Sequence, residues 1–326
     1  MNNSCKVSIL VPIYGTEKYI ERCTRSLFEQ TYSNIEFVFV NDCTPDRSVE
    51  ILKSILEKYP QQKSNTKIIS HDKNRGVATA RNTLLDNATG DYVMWVDSDD
   101  YIDKNAVKIL IQKVVQTNAD IICLGASKLK KSKVTPIRIQ DITNPKEIIK
   151  HFLLGDILTT LWGYFIKREL FVNNTIRFVE GLDIGEDMFV LSKLAYYART
   201  IAIEPQILYY WNSTNESSLV HNYDISKSNM ELGILDLLYD FFKYDNDIIA
   251  FINERKVSSL LFNIYCTCLE NNKYEYCSLK KQINSINGKN IRNTNSLLYR
   301  FFLYCNNYFI NRLWAEFLSL LKTIHY

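Results

Sequence analysis

The chain has 326 residues, 46% of them hydrophobic and 23% charged, a composition that excludes disorder and allows one large α/β domain with a smaller helical appendage. A formal net charge of +3, with only one short basic patch at Lys128 to Lys133, excludes the electrostatic footprint of a nucleic-acid binder. Eight scattered cysteines without a CxxC pair exclude a zinc or dithiol motif and suit reduced thiols in the cytosol.

The polar start runs directly into a strand pattern, Val7 to Pro12, without the basic and long apolar regions of a signal peptide. Next, "EKYIERCTRSLFEQ" sets Ile20, Cys23, Leu27 and Phe28 on one helical face. A second buried strand, Ile35 to Val40, is followed by a helix carrying Val49, Leu52, Ile55 and Leu56 at helical spacing. The third strand, "TKIISH", leads to a helix expected from Val77 to Asn87 and closed by Gly90. A fourth strand, Tyr92 to Val96, ends in "DSDD", and a helix after Asp103 precedes a fifth strand, "DIICLGASKL". This alternation predicts a mostly parallel sheet with helices on both faces. Residues 128–145 read as a loop or paired edge strands. Mixed elements follow to about Tyr210, and beyond Asp224 the pattern is helical.

The crowded acids at the end of the fourth strand carry the chemistry. In an extended chain Asp97 and Asp99 project to one side, and at roughly 5 Å with an effective dielectric near 20 their repulsion is about 3 kcal/mol. A divalent cation between them removes that cost, and hard oxygen donors select Mg²⁺ or Mn²⁺. The alternative is solvated turn and cap residues, which suits Asp103 ahead of its helix and leaves Asp100 open. Nucleotide binding by the dinucleotide fold is not supported, because the turn "PIYGTEKY" after the first strand holds one glycine and no GxxxxGK[ST] loop exists. Asp42, at the end of the second strand, is read either as an acceptor for a base N–H or as a cap for a helix beginning near Asp46.

Together, "VSILVPIYGTEKYIERCTRSLFEQTYSNIEFVFVNDCTPDRS", "NRGVATARNTLLDNATGDYVMWVDSDDYI" and "GEDMFVLSKL" resemble glycosyltransferase family 2. The resemblance covers about residues 5–220 and implies a GT-A fold, a Rossmann-like mixed central sheet flanked by helices, with a C-terminal helical extension. It divides the chain into a catalytic domain at 1–223, its nucleotide-sugar half about 1–127 and its acceptor half about 128–223, and a helical region at 224–326. By the same resemblance Pro12, Tyr14, Asp42 and Arg81 line the nucleotide, and Asp97, Ser98 and Asp99 match the DxD metal motif, with Asp99 the more direct ligand of Mn²⁺ or Mg²⁺. Asp187 matches the catalytic base, Glu186 supports it, and Trp162 flanks the acceptor. Read on their own, Glu186 and Asp187 fit capping of the helix expected from Met188 to Tyr197 better than they fit a catalytic role. Gly15, Asn41, Cys43, Thr44 and Tyr164 depart from the family pattern.

The implied activity is inverting, metal-dependent transfer from a nucleoside-diphosphate sugar, UDP-linked by expectation, to a saccharide or lipid-linked saccharide in bacterial surface-polysaccharide assembly. A sugar nucleotidyltransferase and a non-catalytic binding module of the same fold are the alternatives. The loop after Tyr209 is similar to a family segment that orders over the diphosphate, with His221 as its one basic side chain. The aromatic stretch from Ser296, with Arg300, Arg312 and Lys322, reads either as a peripheral contact with the cytoplasmic face of the inner membrane or as packing against the catalytic domain or a second copy in a homodimer. No nucleic-acid partner is expected.

Overall fold

In the computed structural model, residues 5–130, 133–215, 224–286, 302, 305 and 307–324 are described. His221, Ser296 and Arg300 therefore lie outside the described residues. The chain divides into two compact units, Met1–His221 and Asn222–Tyr326.

The first unit is built on a nine-stranded mixed sheet. Strands β1 (Val7–Ile13), β2 (Ile35–Asn41), β3 (Thr66–Ser70) and β4 (Tyr92–Trp95) run parallel, in the spatial order β3-β2-β1-β4. The near-continuous apolar runs of β1, β2 and β4 are buried because helices cover the sheet. Helix α1 (Ile20–Phe28) buries Ile20, Cys23, Thr24, Leu27 and Phe28, the i, i+3, i+4, i+7, i+8 stripe of a core-facing helix. Helix α2 (Ser48–Lys58) starts where Asp46 accepts hydrogen bonds from the Ser48 N–H and hydroxyl, so Asp46 caps it and Asp42 does not. Helix α3 (Val77–Asp86) enters through Gly76, whose φ of 85° needs a glycine.

Beyond β4 the sheet ceases to be parallel. The two-residue strand β5 (Tyr101–Ile102) and helix α4 (Ala106–Thr117), closed by left-handed Asn118, precede β6 (Ile121–Lys130) and β7 (Lys133–Pro136), and Ser127 to Lys130 pair antiparallel with β7. After α5 (Pro145–Leu154), β8 (Tyr164–Lys167) inserts antiparallel between β4 and β6. Helices α6 (Arg168–Asn173) and α7 (Glu186–Tyr197) follow, then β9 (Ile201–Asn212), which runs parallel to β6 and antiparallel to β5. A hydrophobic core of this unit runs from Val7, Leu27 and Phe37 to Phe165 and Tyr209.

The second unit contains α8 (Ile225–Phe241), α9 (Asn246–Leu269), α10 (Lys273–Ser285) and α11 (Tyr308–Ile324). Asp224, Asp245 and Asn272 cap the first three through side-chain acceptors. Their apolar faces meet around Leu261, Ile264, Ile283 and Phe302. Among the described residues no helix is long and apolar enough to cross a membrane.

Candidate active site

The carboxyl ends of β1, β2 and β4 share one edge of the sheet, where open α/β sheets place their ligands. The turn after β1 is tied down by hydrogen bonds from its backbone: Gly15 N–H donates to Thr44, Thr16 N–H to Ser48 and Glu17 N–H to Asp46. Pro12 is half-buried on β1, and Tyr14 is exposed beyond it. A cleft of about 570 Å³ opens over this turn, walled by Lys18 and Tyr19 on one side and Thr214 and Asn215 on the other.

Asp42 is buried and engaged by the loop after β3. Its Oδ1 accepts from Arg75 N–H at 2.9 Å and from His71 Nδ1 at 2.7 Å, and its Oδ2 accepts from Gly76 N–H at 2.9 Å. A carboxylate only accepts, so His71 carries its proton on Nδ1; its Nε2 meets Thr83 Oγ1 at 2.9 Å.

The acids after β4 are separated by a tight turn. The Asp97 carbonyl accepts from Asp100 N–H at 3.0 Å, so the alternation expected of an extended chain does not place Asp97 and Asp99. Each acid instead finds a different environment. Asp100 is fully buried and takes the Tyr209 hydroxyl at 2.6 Å and Asn212 N–H at 2.6 Å, which makes it neither the cap nor the solvated residue that its position suggested. Asp99 accepts from Asn215 Nδ2 at 2.8 Å. Ser98 is buried under the Thr16 hydroxyl at 3.1 Å. Burial pushes Asp97 up to about 7 against the pull of Arg81, with Asp99 and Asp187 adding to the rise. Burial also raises Asp99, and it raises Asp100 well above the carboxylate range.

Arg81, on α3, faces this turn from the other side. It is buried, and its Nη1 donates to Glu186 Oε1 at 2.7 Å and to Asp187 Oδ1. Burial opposes the guanidinium charge, but Asp187, Glu186 and Asp97 hold Arg81 above its ordinary value. The helix that carries both acids begins at Glu186 itself, two residues before the expected Met188. Asp187 Oδ2 accepts from Leu161 N–H at 3.0 Å. Burial and the neighbouring Asp187 push Glu186 up to about 8 against Arg81, and burial raises Asp187 as well. Trp162, next to Leu161, is buried and stacks on Tyr209 with centroids 4.5 Å apart at 10°. Trp211 continues that stack at 6.4 Å.

The structure thus gathers Asp97, Arg81, Glu186 and Asp187 into one electrostatic cluster, with Asp99 at its open side. Asp42 stands apart in the His71 loop, and Trp162 lies beside the acids, stacked on Tyr209 and adjacent in the chain to Leu161. Sequence reasoning missed His71, Tyr209, Asn215 and Asp183. Tyr209 and Asn215 act on acids more than a hundred residues away, and only the position of Asp183 in "GLDIGED" hints at a role.

The matching family model, glycosyl transferase family 2, covers residues 8–173. The chain belongs to glycosyltransferase family 2. It is 34% identical over 217 residues to the Bacillus subtilis glycosyltransferase EpsJ, a match that spans 64% of this chain and 62% of EpsJ. It is 32% identical over 221 residues to the glycosyltransferase GlyA of Streptococcus pneumoniae, spanning 63% of this chain and 30% of GlyA. The chain therefore spans less than two thirds of either relative. Among solved structures, Staphylococcus aureus TarS 1–349 in complex with UDP-GlcNAc superposes with a TM-score of 0.70 at 21% identity, over 95% of this chain and 90% of that one. That likeness shows the fold: the curled mixed sheet with its flanking helices is the GT-A fold.

Proposed function

We propose that this glycosyltransferase moves a sugar from a nucleoside-diphosphate donor, uridine-linked, to a hydroxyl of a saccharide or lipid-linked saccharide acceptor, with inversion by a single in-line displacement. The observation that carries the reading is the shared guanidinium of buried Arg81, which holds Asp187 beside the Asp97–Asp99 turn. TarS, the poly(ribitol-phosphate) β-N-acetylglucosaminyltransferase, has the same fold and was solved with UDP-GlcNAc, which supports a uridine donor.

Asp97 and Asp99 fit a divalent cation. They are hard oxygen donors, and burial raises both because negative charge there lacks full compensation. Among the described residues no group of three or more acidic, His or Cys side chains forms a metal cage. Asp97 and Asp99 would hold such an ion together with the donor phosphates. Bound there, Mn²⁺ or Mg²⁺ supplies electrostatic stabilisation of the leaving diphosphate. A mannosyltransferase from Pyrobaculum calidifontis of the same fold was solved with GDP-Man and Mn²⁺.

The chain's own groups do the rest. Asp187 takes the acceptor hydroxyl proton as that oxygen bonds the anomeric carbon, and the bond to the diphosphate breaks with its electron pair leaving on the phosphate oxygen. Leu161 N–H and Arg81 orient both Asp187 oxygens. Asp42 fixes the loop that borders the base, and Trp162, backed by the buried Tyr209 ring, flanks the acceptor.

A panel of nucleotide sugars, with and without Mn²⁺ and read by mass spectrometry, tests the reading. The expected result is metal-dependent product from a UDP-sugar, lost by at least 10³-fold in Asp187→Asn while UDP binding persists. Normal turnover by that variant would remove Asp187 from the chemistry.

A further inference from the structure

Helix α3 lacks a side-chain cap of its own, because its N-cap is Gly76. The missing acceptor arrives from far along the chain: Asp183 Oδ1 accepts from Ala78 N–H at 3.0 Å. The fit is close. A Cβ on Gly76 would lie 2.4 Å from Asp183 Oδ2, so the glycine is what lets the carboxylate reach the helix end.

The same stretch of α3 is docked at further points by the segment that leads into α7. Asn82 donates through Nδ2 to the Phe178 carbonyl at 2.9 Å and accepts from Phe178 N–H at 3.0 Å. One turn beyond Ala78, Arg81 binds Glu186 and Asp187. Residues 178–187 are therefore laid along α3 as on a template, and Asp183 is the anchor between the Phe178 clamp and the acids. Helix α7 has no side-chain cap from its own N-cap residue, because that residue is Gly185, left-handed at φ 82°.

We propose that Asp183 is a positioning residue: by capping α3 in trans it fixes the path of residues 183–187 and so sets where Asp187 meets the acceptor. The proposal rests on the reading of Asp187 as the base. It also ties the base to the donor end of the site, since Gly76, pressed against Asp183, donates its N–H to Asp42. An ångström-scale drift of a catalytic group costs on the order of 10²-fold in rate, and loss of this cap frees the segment by that scale of movement.

The test compares Asp183→Ala with Asp183→Asn in the full chain. Asparagine keeps an acceptor for Ala78 N–H, and alanine does not. The expected result is a fall in kcat of about 10²-fold for alanine, with UDP affinity in the presence of Mn²⁺ within about threefold of wild type, and recovery to within about threefold in the asparagine variant. Amide hydrogen exchange over 178–187 should rise about tenfold or more in Asp183→Ala alone, a readout that needs no knowledge of the donor sugar. Unchanged exchange in the alanine variant, an asparagine variant as impaired as alanine, or a loss confined to UDP affinity would overturn the proposal. Asp187→Asn measured alongside separates the failures. If that variant turns over normally, the assignment of the base is wrong; if it is dead and Asp183→Ala is fully active, only the positioning role falls.

Discussion

Glu36 and Glu186 are both buried glutamates of the same unit, 5% and 8% exposed, yet their surroundings drive them in opposite directions. Around Glu36, the Lys6 ammonium, the Ser8 hydroxyl and the Thr89 N–H and hydroxyl all donate. Burial works against the charge there, but these donors hold Glu36 down at about 2. Glu186 shares a single guanidinium with Asp187, and burial wins, leaving it near 8. One acid is a finished structural joint; the other belongs to a cluster with negative charge in excess, which is how a site built to meet a cation and a reacting hydroxyl differs from a site built to hold a sheet together.

The largest expected break in that contrast is Arg81→Met. It leaves Glu186 and Asp187 buried without the cation they share, and removing one partner of a buried pair costs about 3–5 kcal/mol. Urea midpoints in EDTA should fall accordingly and turnover should vanish. A variant as stable and active as wild type would mean that the acids are solvated and the cluster is not a unit.

Glu186→Gln is the next test. The folded Glu186 binds its proton up to about pH 8, against an ordinary value of 4.5, so between those values the native state holds more protons than the unfolded state. Stability therefore declines as pH rises from about 4.5 to 8. Glutamine removes that titration and should flatten the decline, a change of at most about 5 kcal/mol across the window. Matching pH profiles for the two proteins would show that Glu186 ionises freely.

The parallel half of the fold was legible because each of its strands and helices writes its burial into local periodicity: Ile20, Cys23 and Leu27 name a face without help from elsewhere. The antiparallel insertion of β8 between β4 and β6 was not, since Tyr164–Lys167 is four residues long and its neighbours are chosen by the sheet. Asp97, Asp99 and Asp187 stood out as carboxylates at element ends. Their actual partners did not, because Asn215, Tyr209 and Asp183 reach them or their supports across spans that carry no spacing signal. Asp100 shows the limit best: its position left a cap or solvated role open, and a tyrosine hydroxyl from β9 makes it a buried strut.

Glu36→Gln is the smallest effect expected and the one that completes the contrast. Here the folded value lies below the ordinary 4.5, at about 2, so the unfolded state binds the proton first as the solution is acidified. The stabilisation is complete above about pH 4.5 and is lost as pH falls through 2, the reverse of the Glu186 slope. Because its Lys6 partner is partly exposed, the contribution is discounted to about 2 kcal/mol. At pH 7 the glutamine variant should therefore unfold at lower urea than wild type, and the two curves should converge toward pH 2. Turnover should stay near wild type, since Glu36 ties β2 to the Thr89 turn at the amino end of β4, the edge of the sheet opposite the acids. Curves that stay parallel down to pH 2 would show that the donors around Glu36 stabilise its protonated form as well as its charged one, and the two glutamates would no longer represent opposite solutions to burial.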